Sequence, residues 1–345
     1  MSSPRNHYQP KFLLRGFASR TEGDSSFVWV FRKGKPPFEA NIDNVAAERH
    51  FHGAGDSLEM EMSRAETGYA TLLQEIISTG EIRDHHSGRI GALFANLIIR
   101  TRNFRKGLQQ LLQSTLSSFR TSFGSSEMMA FLSKLPRTEI DNQIDDLFQL
   151  PPDSPLRSWL LDQVRESLKD GSALQVVNQV VGAASEATND PQHLAKSHVR
   201  SLEKDLEPTA RAERYANLTW RLISDVQSRC PLILGDLGPL AKYSASDTSL
   251  VSPVTENSQP LLLCLPVSPT LLLLGSEPGA PIPSPDEVNL ASAELSCEYI
   301  IGSQRTPDES HLQNRIGERA ELMSPEEISR SVSSAFGDLM KDPSL

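Results

Sequence analysis

The sequence predicts an α+β fold that is predominantly α-helical, with long helices, a small N-terminal hairpin and a small C-terminal antiparallel sheet. Apolar residues recur at helical spacing over residues 56–78 and again over 84–119, which predicts two long helices. A run rich in β-forming residues, Phe27–Arg32, is bounded by turn residues and predicts one strand of a hairpin, with Phe38–Ile42 as its partner. Short apolar runs late in the chain predict the second sheet.

The N-terminal stretch Asn6–Phe17 changes from polar to apolar character at Pro10. Apolar residues at helical spacing follow this proline and predict one or two helical turns that end at about Gly16. His7 would then lie just ahead of a helix N-terminus, where the dipole and the free N–H groups favour anions. His7 is therefore a candidate catalytic or ligand-binding imidazole. The alternative is a capping or core histidine with a satisfied hydrogen bond.

The first long helix should begin near Asp56 and end at about Ser78. Glu59 and Glu66 are seven residues apart, so they share one side of this helix at the edge of its apolar stripe. Both carboxylates could face a cleft from that position, which makes them candidate catalytic residues. A solvated helix flank is the alternative for both, and Glu59 could also complete a capping box with Asp56.

Arginines cluster in the middle of the second long helix, which is predicted to run from Asp84 to Phe119 without a break. Arg100 lies beside the apolar face of this helix and Arg102 lies roughly opposite that face. An arginine side chain offers a planar fork of donors that suits carboxylate or phosphate. A structural ion pair from Arg100 to a glutamate of the preceding helix and an anion-binding site are both open interpretations.

The whole chain is predicted as one domain over residues 1–345. Its helical middle, 120–206, is a candidate subdomain. A loop is predicted at Ala183–Gln192, and a strong helix at Thr209–Gln227. Residues 303–322 are polar and predict a loop or a frayed helix. The runs that predict strands of the C-terminal sheet are Pro231–Gly235, Pro260–Leu265 and Thr270–Gly275. Two serine-capped helices are predicted at Asp286–Tyr299 and Glu326–Met340, and a disordered tail at 342–345.

Three further positions carry residue types that are common in functional sites. Asp236 directly follows a predicted strand, where a functional carboxylate and ordinary turn chemistry are equally good interpretations. His50 and His52 would lie on one side of an extended strand, as a metal pair requires, but two ligands do not make a site. His85 and His86 begin a helix and are predicted to be exposed.

Several of these residues also carry a resemblance to a known family. The N-terminal stretch is similar to the start of domain-of-unknown-function family 4238, whose opening pattern is His-Tyr-x-Pro-x-Phe-x-Leu-x-x-Phe. The matching residues are His7, Tyr8, Pro10, Phe12, Leu14 and Phe17. Later segments resemble further signatures of the family: Val28–Arg32, Val45–His52, Glu59, Glu66, Ile99–Arg102, Leu265–Pro269 and Val288–Asn289.

The segment Leu234–Pro239 resembles a Ser-Asp-x-Pro element of this family, but one extra residue separates Asp236 from Pro239. The match with the family covers most of the chain in separate pieces. Because the family has no established activity, the resemblance implies an architecture and candidate positions rather than a reaction.

Composition restricts the function classes. The chain has 345 residues and a formal net charge of −10, with a basic excess before residue 110 and an acidic excess after it. This balance argues against bulk coating of nucleic acid, and a phosphate-containing ligand would more readily meet the N-terminal part. No apolar run reaches the roughly 20 residues that a membrane-spanning helix needs. The three dispersed cysteines predict reduced thiols in a cytoplasmic, soluble protein.

Three hypotheses for the function remain, since no phosphate loop, nucleophile elbow or zinc-protease motif fixes a reaction. The first is a metal-dependent phosphodiesterase or nuclease-like hydrolase, in which Mg²⁺ or Mn²⁺ activates water and Arg100 steadies the developing charge. Its candidate catalytic residues are His7, Glu59, Glu66 and Asp236. The second hypothesis uses the same cleft, without a metal, to bind a nucleotide or another anion. The third makes these residues a structural polar network, and the helical middle then binds a protein partner.

Overall fold

The computed structural model describes residues 5–49, 51, 56–123, 155–170, 172–224, 231–254 and 258–320. The chain divides into two compact units. The described parts of residues 1–108 and 195–323 form the first unit, and the described parts of 109–194 belong to the second. Several predictions fall outside the described residues: His50, His52, Glu326–Met340, the tail at 342–345 and residues 124–154 of the helical middle.

Within the described ranges, the α-helices account for more residues than the strands. They are α1 (Lys11–Arg15), α2 (Asp56–Thr79), α3 (Ser87–Ile99), α4 (Arg102–Phe123), α5 (Pro155–Asp170), α6 (Ser172–Asn189), α7 (Pro191–Lys204), α8 (Thr209–Ala216), α9 (Pro285–Leu295) and α10 (Pro307–Arg315). Short 3-10 turns occur at Ile42–Asn44 and Asp84–His86. None of the described helices is both long and apolar enough to cross a membrane.

Eleven strands in the described ranges form three sheets. They are β1 (Arg5–His7), β2 (Arg20–Glu22), β3 (Ser25–Arg32), β4 (Phe38–Asn41), β5 (Ala47–Arg49), β6 (Thr219–Ile223), β7 (Leu234–Gly235), β8 (Leu240–Lys242), β9 (Leu262–Ser268), β10 (Leu271–Ser276) and β11 (Tyr299–Gly302). The α+β class is confirmed, although the sheets are larger than the predicted hairpin and small C-terminal sheet.

The predicted hairpin is part of a larger sheet that joins both ends of the first unit. β3 pairs antiparallel with β4, as predicted, and also with β2 and β11. The register places Val30 opposite Ile301, and β11 in turn pairs with β7. Hydrogen bonds between strands far apart in the sequence therefore bring the N-terminal segment to the strand that precedes Asp236.

The second sheet is antiparallel and has the order β6–β10–β9–β8. Residues Leu262–Val267 of β9 are all buried, as expected for a leucine-rich strand covered on both faces. The prediction of a helix over Thr209–Gln227 is wrong for residues 217–224, because β6 adds to the edge of β10 with Trp220 opposite Gly275. The interstrand hydrogen bonds satisfy a segment whose apolar spacing alone suited a helix.

The predicted single helix over residues 84–119 is also wrong, because it breaks at Arg100 and Thr101. The Thr101 hydroxyl donates to the Ile98 carbonyl at 3.0 Å and accepts from the Phe104 N–H at 3.1 Å. One side chain thus satisfies backbone groups on both sides of the break, ending α3 and capping α4. Arg100 is the C-cap residue that follows α3 rather than a mid-helix residue.

Smaller departures follow from helix capping. The predicted loop at Ala183–Gln192 is wrong, since α6 continues to Asn189 and α7 begins at Pro191. Residues 303–322 contain α10, which begins with a capping box between Thr306 and Glu309. By contrast, α1, α2 and the capping box that opens α9 agree with the predictions.

Candidate functional site

The backbone of the N-terminal segment carries His7 to the end of α3. β1 pairs antiparallel with β5, with His7 opposite Ala47, and the Tyr8 N–H donates to the Ala46 carbonyl at 2.9 Å. The His7 carbonyl accepts a hydrogen bond from Arg100 Nη2 at 2.5 Å. A residue from the start of the chain therefore meets the arginine at the α3–α4 break.

Arg100 is the centre of the site, because it also pairs with one of the two helix glutamates. Its Nη2 lies 2.6 Å from Glu66 Oε1, and Arg100 has no exposed surface. The Glu66 side chain remains 26% exposed. The structure therefore contains the predicted ion pair, and it brings His7, Glu66 and Arg100 together. We refer to these three residues as the Arg100 cluster.

Among the residues that the structure describes, most of the Arg100 donors have no partner. Nε and Nη1 are buried without a hydrogen bond within the described part of the chain, and the same holds for His7 Nδ1. A guanidinium carries five N–H donors, three of them on these two nitrogens. Each buried donor that stays unpaired costs about 1–3 kcal/mol. An oxyanion is the acceptor that a guanidinium fork fits best.

The imidazole of His7 is neutral at physiological pH. Burial and, after it, the positive charge of Lys11 together lower the pKa of His7 to about 4, although the Glu66 carboxylate acts in the opposite direction. Lys11 itself pairs with Asp43 at 2.7 Å on the protein surface. A neutral imidazole beside the guanidinium can accept or donate a hydrogen bond, or ligate a metal, without first losing a proton.

Glu59 contacts the N-terminal segment at Asn6, one residue before His7. The Asn6 amide donates from Nδ2 to Glu59 Oε2 at 2.7 Å, and Glu59 lies on an exposed part of α2. Glu59 and Glu66 thus contact neighbouring residues of the same N-terminal strand, Asn6 through its side chain and His7 through Arg100.

Asp236 is held by the backbone of the segment that leads into β11. Its carboxylate accepts N–H bonds from Cys297 at 2.9 Å, from Glu298 at 2.7 Å and from Tyr299 at 3.3 Å. Burial raises the pKa of Asp236 to about 6, although these three hydrogen bonds lower it. Both carboxylate oxygens are therefore engaged in fixing a turn.

Two tyrosines and a glutamine link Asp236 to the N-terminal segment. The Tyr299 hydroxyl donates to the Tyr8 hydroxyl at 3.1 Å and lies 3.3 Å from Gln9 Oε1, while Gln9 Nε2 donates to the Gly235 carbonyl at 2.6 Å. These residues are buried. Asp236 is therefore linked to the N-terminal segment only indirectly, through Tyr299 and the neighbouring Gly235, and the link reaches Tyr8 and Gln9 rather than His7.

Sequence reasoning missed the role of Arg102. Its guanidinium bridges Glu48 at 2.9 Å and Glu298 at 2.6 Å, and it lies 4.9 Å from the centre of the Tyr8 ring. Arg105 contacts Glu48 as well, at 3.2 Å. The sequence shows the arginine cluster, but it does not show which residues these arginines contact. The break at Thr101 changes the direction in which their side chains leave the helix.

The histidine pair at the start of the second helical segment is not fully exposed. His86 is only 1% exposed, so the prediction of exposure is wrong for this residue, whereas His85 is exposed. The 3-10 turn that precedes α3 directs the two rings differently.

Most of the chain matches one protein family. The model of the family described as protein of unknown function (DUF4238) matches residues 5–315. The chain belongs to this family. Among curated proteins and solved structures, none matches the chain. The DUF4238 match covers the N-terminal segment, the Arg100 cluster and Asp236, so all the candidate residues lie within the family domain.

The chemistry available in this DUF4238 member follows from the Arg100 cluster. A buried guanidinium supplies hydrogen-bond donors and positive charge, Glu66 balances that charge, and His7 adds a neutral imidazole. The cluster offers the groups that recognise an oxyanion. A metal would find one partly exposed carboxylate and one imidazole here, which is fewer protein ligands than catalytic zinc sites use.

Proposed function

We propose that the chain binds a small ligand that carries a phosphate or another oxyanion group, and that Arg100 receives this group. One observation carries the proposal: two nitrogens of the fully buried Arg100 side chain have no hydrogen-bond partner within the described residues. A ligand oxygen at these nitrogens would form charge-assisted hydrogen bonds, which are about twice as strong as neutral ones.

The neighbouring residues suit a phosphate ester or nucleotide. The neutral His7 imidazole, whose Nδ1 is buried without a protein partner in the described ranges, could hydrogen-bond to a second ligand oxygen. Glu66 is 26% exposed, so the cluster reaches solvent at this side chain. Because its carboxylate also repels an anion, we expect modest affinity that responds strongly to the charge at position 66.

Phosphodiester hydrolysis with Mg²⁺ or Mn²⁺ is the second candidate, favoured by a partly exposed Glu66 carboxylate whose charge acts on the neutral imidazole of His7. It has weaker support, because the oxygens of Asp236 are bonded to three backbone N–H groups and Glu59 contacts the site only through Asn6. If ligand binding in the experiment below requires Mg²⁺ or Mn²⁺, metal-dependent hydrolysis becomes the better-supported candidate.

The test is calorimetric titration of the full chain with inorganic phosphate and AMP, each with EDTA, Mg²⁺ or Mn²⁺. We expect binding in EDTA that Arg100→Gln weakens at least about tenfold, since the variant loses a charge-assisted donor set. Arg64→Gln is the matched control, because Arg64 is exposed on α2. No binding by the wild type, or equal binding by both variants, would overturn the proposal. If Arg100→Gln does not fold, the Glu66 variant described in the Discussion replaces it.

A further inference from the structure

A second group of metal-ligating side chains lies where the end of α2 meets the 3-10 turn Asp84–His86. Glu75, His85 and His86 each offer one ligand atom, and these atoms all lie within 4.8 Å of one another. None of the three belongs to the Arg100 cluster. Two imidazoles and one carboxylate are the ligand set that some catalytic zinc sites use.

The distance between the ligand atoms of Glu75 and His86 already matches a metal site. Glu75 Oε1 lies 3.2 Å from His86 Nε2. Two ligand atoms of a tetrahedral zinc, at bond lengths of about 2.0–2.1 Å, are about 3.3 Å apart. The distance between these two ligand atoms therefore needs almost no change, and the His85 ligand atom must approach by at most about 1.5 Å on the same geometry.

The fold holds His86 and leaves His85 able to move. His86 is 1% exposed, and its Nδ1 accepts the backbone N–H of Arg83 at 3.2 Å, which fixes the ring. His85 is exposed and packs edge-on against His86, with ring centres 4.1 Å apart. The site thus combines two placed ligands with one side chain that can turn onto the ion, and its exposure gives the ion a path from solvent.

We propose that Glu75, His85 and His86 bind a zinc ion, with water completing the coordination. The donor set of two imidazoles and one carboxylate favours a borderline ion such as Zn²⁺ over Mg²⁺, which requires oxygen ligands. The ion would tie the C-terminal end of α2 to the start of α3.

Coordination requires a change of tautomer at His86. With Nδ1 accepting from Arg83, the neutral ring carries its proton on Nε2, the atom that faces Glu75. Zinc takes the Nε2 lone pair, so the proton moves to Nδ1 and the Arg83 N–H loses its acceptor. The Nδ1–H and the Arg83 N–H would then be two donors that face each other, so the exposed Arg83 segment has to turn away and both groups take water as their acceptor.

The experiment titrates the untagged, metal-free full chain with Zn²⁺ by calorimetry and with Co²⁺ by visible absorption. We expect one equivalent of metal at this site, with the absorption of a low-coordinate Co²⁺ complex. His85→Ala should weaken Zn²⁺ and Co²⁺ binding by more than about tenfold, because even loss of an outer-shell partner costs 10–100-fold. His85 is exposed, so the variant should fold as the wild type does.

Two further variants make the result decisive. Glu75→Gln should weaken binding in the same way, and His311→Ala, which removes an exposed histidine of α10, should leave it unchanged. Absence of metal binding in the wild type would overturn the proposal. Equal binding by His85→Ala and the wild type would also overturn it, because the metal would then be held elsewhere.

Discussion

Replacing Glu66 with glutamine separates an anion site from a purely structural ion pair. Glu66 Oε1 lies 2.6 Å from Nη2 of Arg100, whose side chain is fully buried. Breaking a buried ion pair by removing one partner costs about 3–5 kcal/mol, because the other charge is left uncompensated. Glu66 is 26% exposed, and glutamine still offers a carbonyl oxygen. We therefore expect Glu66→Gln to lose about 2 kcal/mol of unfolding free energy without added anion.

The same substitution removes one negative charge from the proposed anion site. Two unit charges about 4 Å apart interact by about 1 kcal/mol in water and by about 4 kcal/mol at an effective dielectric constant of 20. Taking the lower value for a partly exposed glutamate, phosphate should bind the variant at least about fivefold more tightly than the wild type. Phosphate should therefore restore more stability to Glu66→Gln than it adds to the wild type.

The assay is urea unfolding followed by circular dichroism at pH 7.5, over a phosphate series at constant ionic strength. Glu61→Gln is the matched control, because Glu61 is exposed on the same helix, α2. If phosphate stabilises Glu66→Gln no more than it stabilises the wild type and Glu61→Gln, the anion-binding argument fails. The Arg100–Glu66 pair would then be a structural contact only.

Two further predictions concern packing and pH. A Cβ at Gly91 would lie 2.3 Å from the Ala212 carbonyl oxygen, so Gly91→Ala should cost about 1–3 kcal/mol in urea unfolding. Gly88→Ala, in the same helix with no heavy atom within 4 Å of the new Cβ, should leave stability unchanged or raise it by up to about 1 kcal/mol. Equal effects of the two would refute the close helix contact. In a pH series, the stability that neutral His7 contributes is present above its ordinary pKa of 6.5 and is lost as the pH falls through its lowered pKa of about 4. The wild type should therefore lose stability on acidification relative to His7→Gln. The pH dependence that Asp236 gives to the stability has the opposite sign, because the pKa of Asp236 is raised from 3.8 to about 6. Its contribution to stability is present below pH 3.8 and is lost as the pH rises through 6. Asp236→Asn should remove that dependence, and identical pH slopes in all three proteins would contradict both assignments.

Local sequence signals determined the elements whose limits depend on neighbouring residues. Pro10 and Gly16 bound α1 as the sequence predicts, and the capping box of Ser284 and Glu287 opens α9. Helical spacing over residues 56–78 agrees with α2 to within one residue at its end. These signals act over three or four residues, so no knowledge of the tertiary structure was needed to interpret them.

Part of the candidate site was also accessible from the sequence. The pairing of Arg100 with Glu66 was one of the two alternatives for that arginine, because both residues lie beside the apolar faces of adjacent helices. The contact from Arg100 to the His7 carbonyl was not accessible. It depends on the pairing of β1 with β5, which the pattern of the N-terminal segment does not indicate.

The tertiary structure alone decided the role of each polar group, because hydrogen-bond partners far apart in the sequence determine it. Asp236 follows a strand as predicted, yet its carboxylate is used by the backbone of residues 297–299, some sixty positions later. Residues 219–223 form a strand because β10 presents an edge to them. By itself, the sequence determined the family, the α+β class and the starts of α1, α2 and α9. Only the folded chain decided which nitrogens of Arg100 have partners and which imidazoles lie beside a carboxylate, because burial and long-range hydrogen bonds exist only in the tertiary structure.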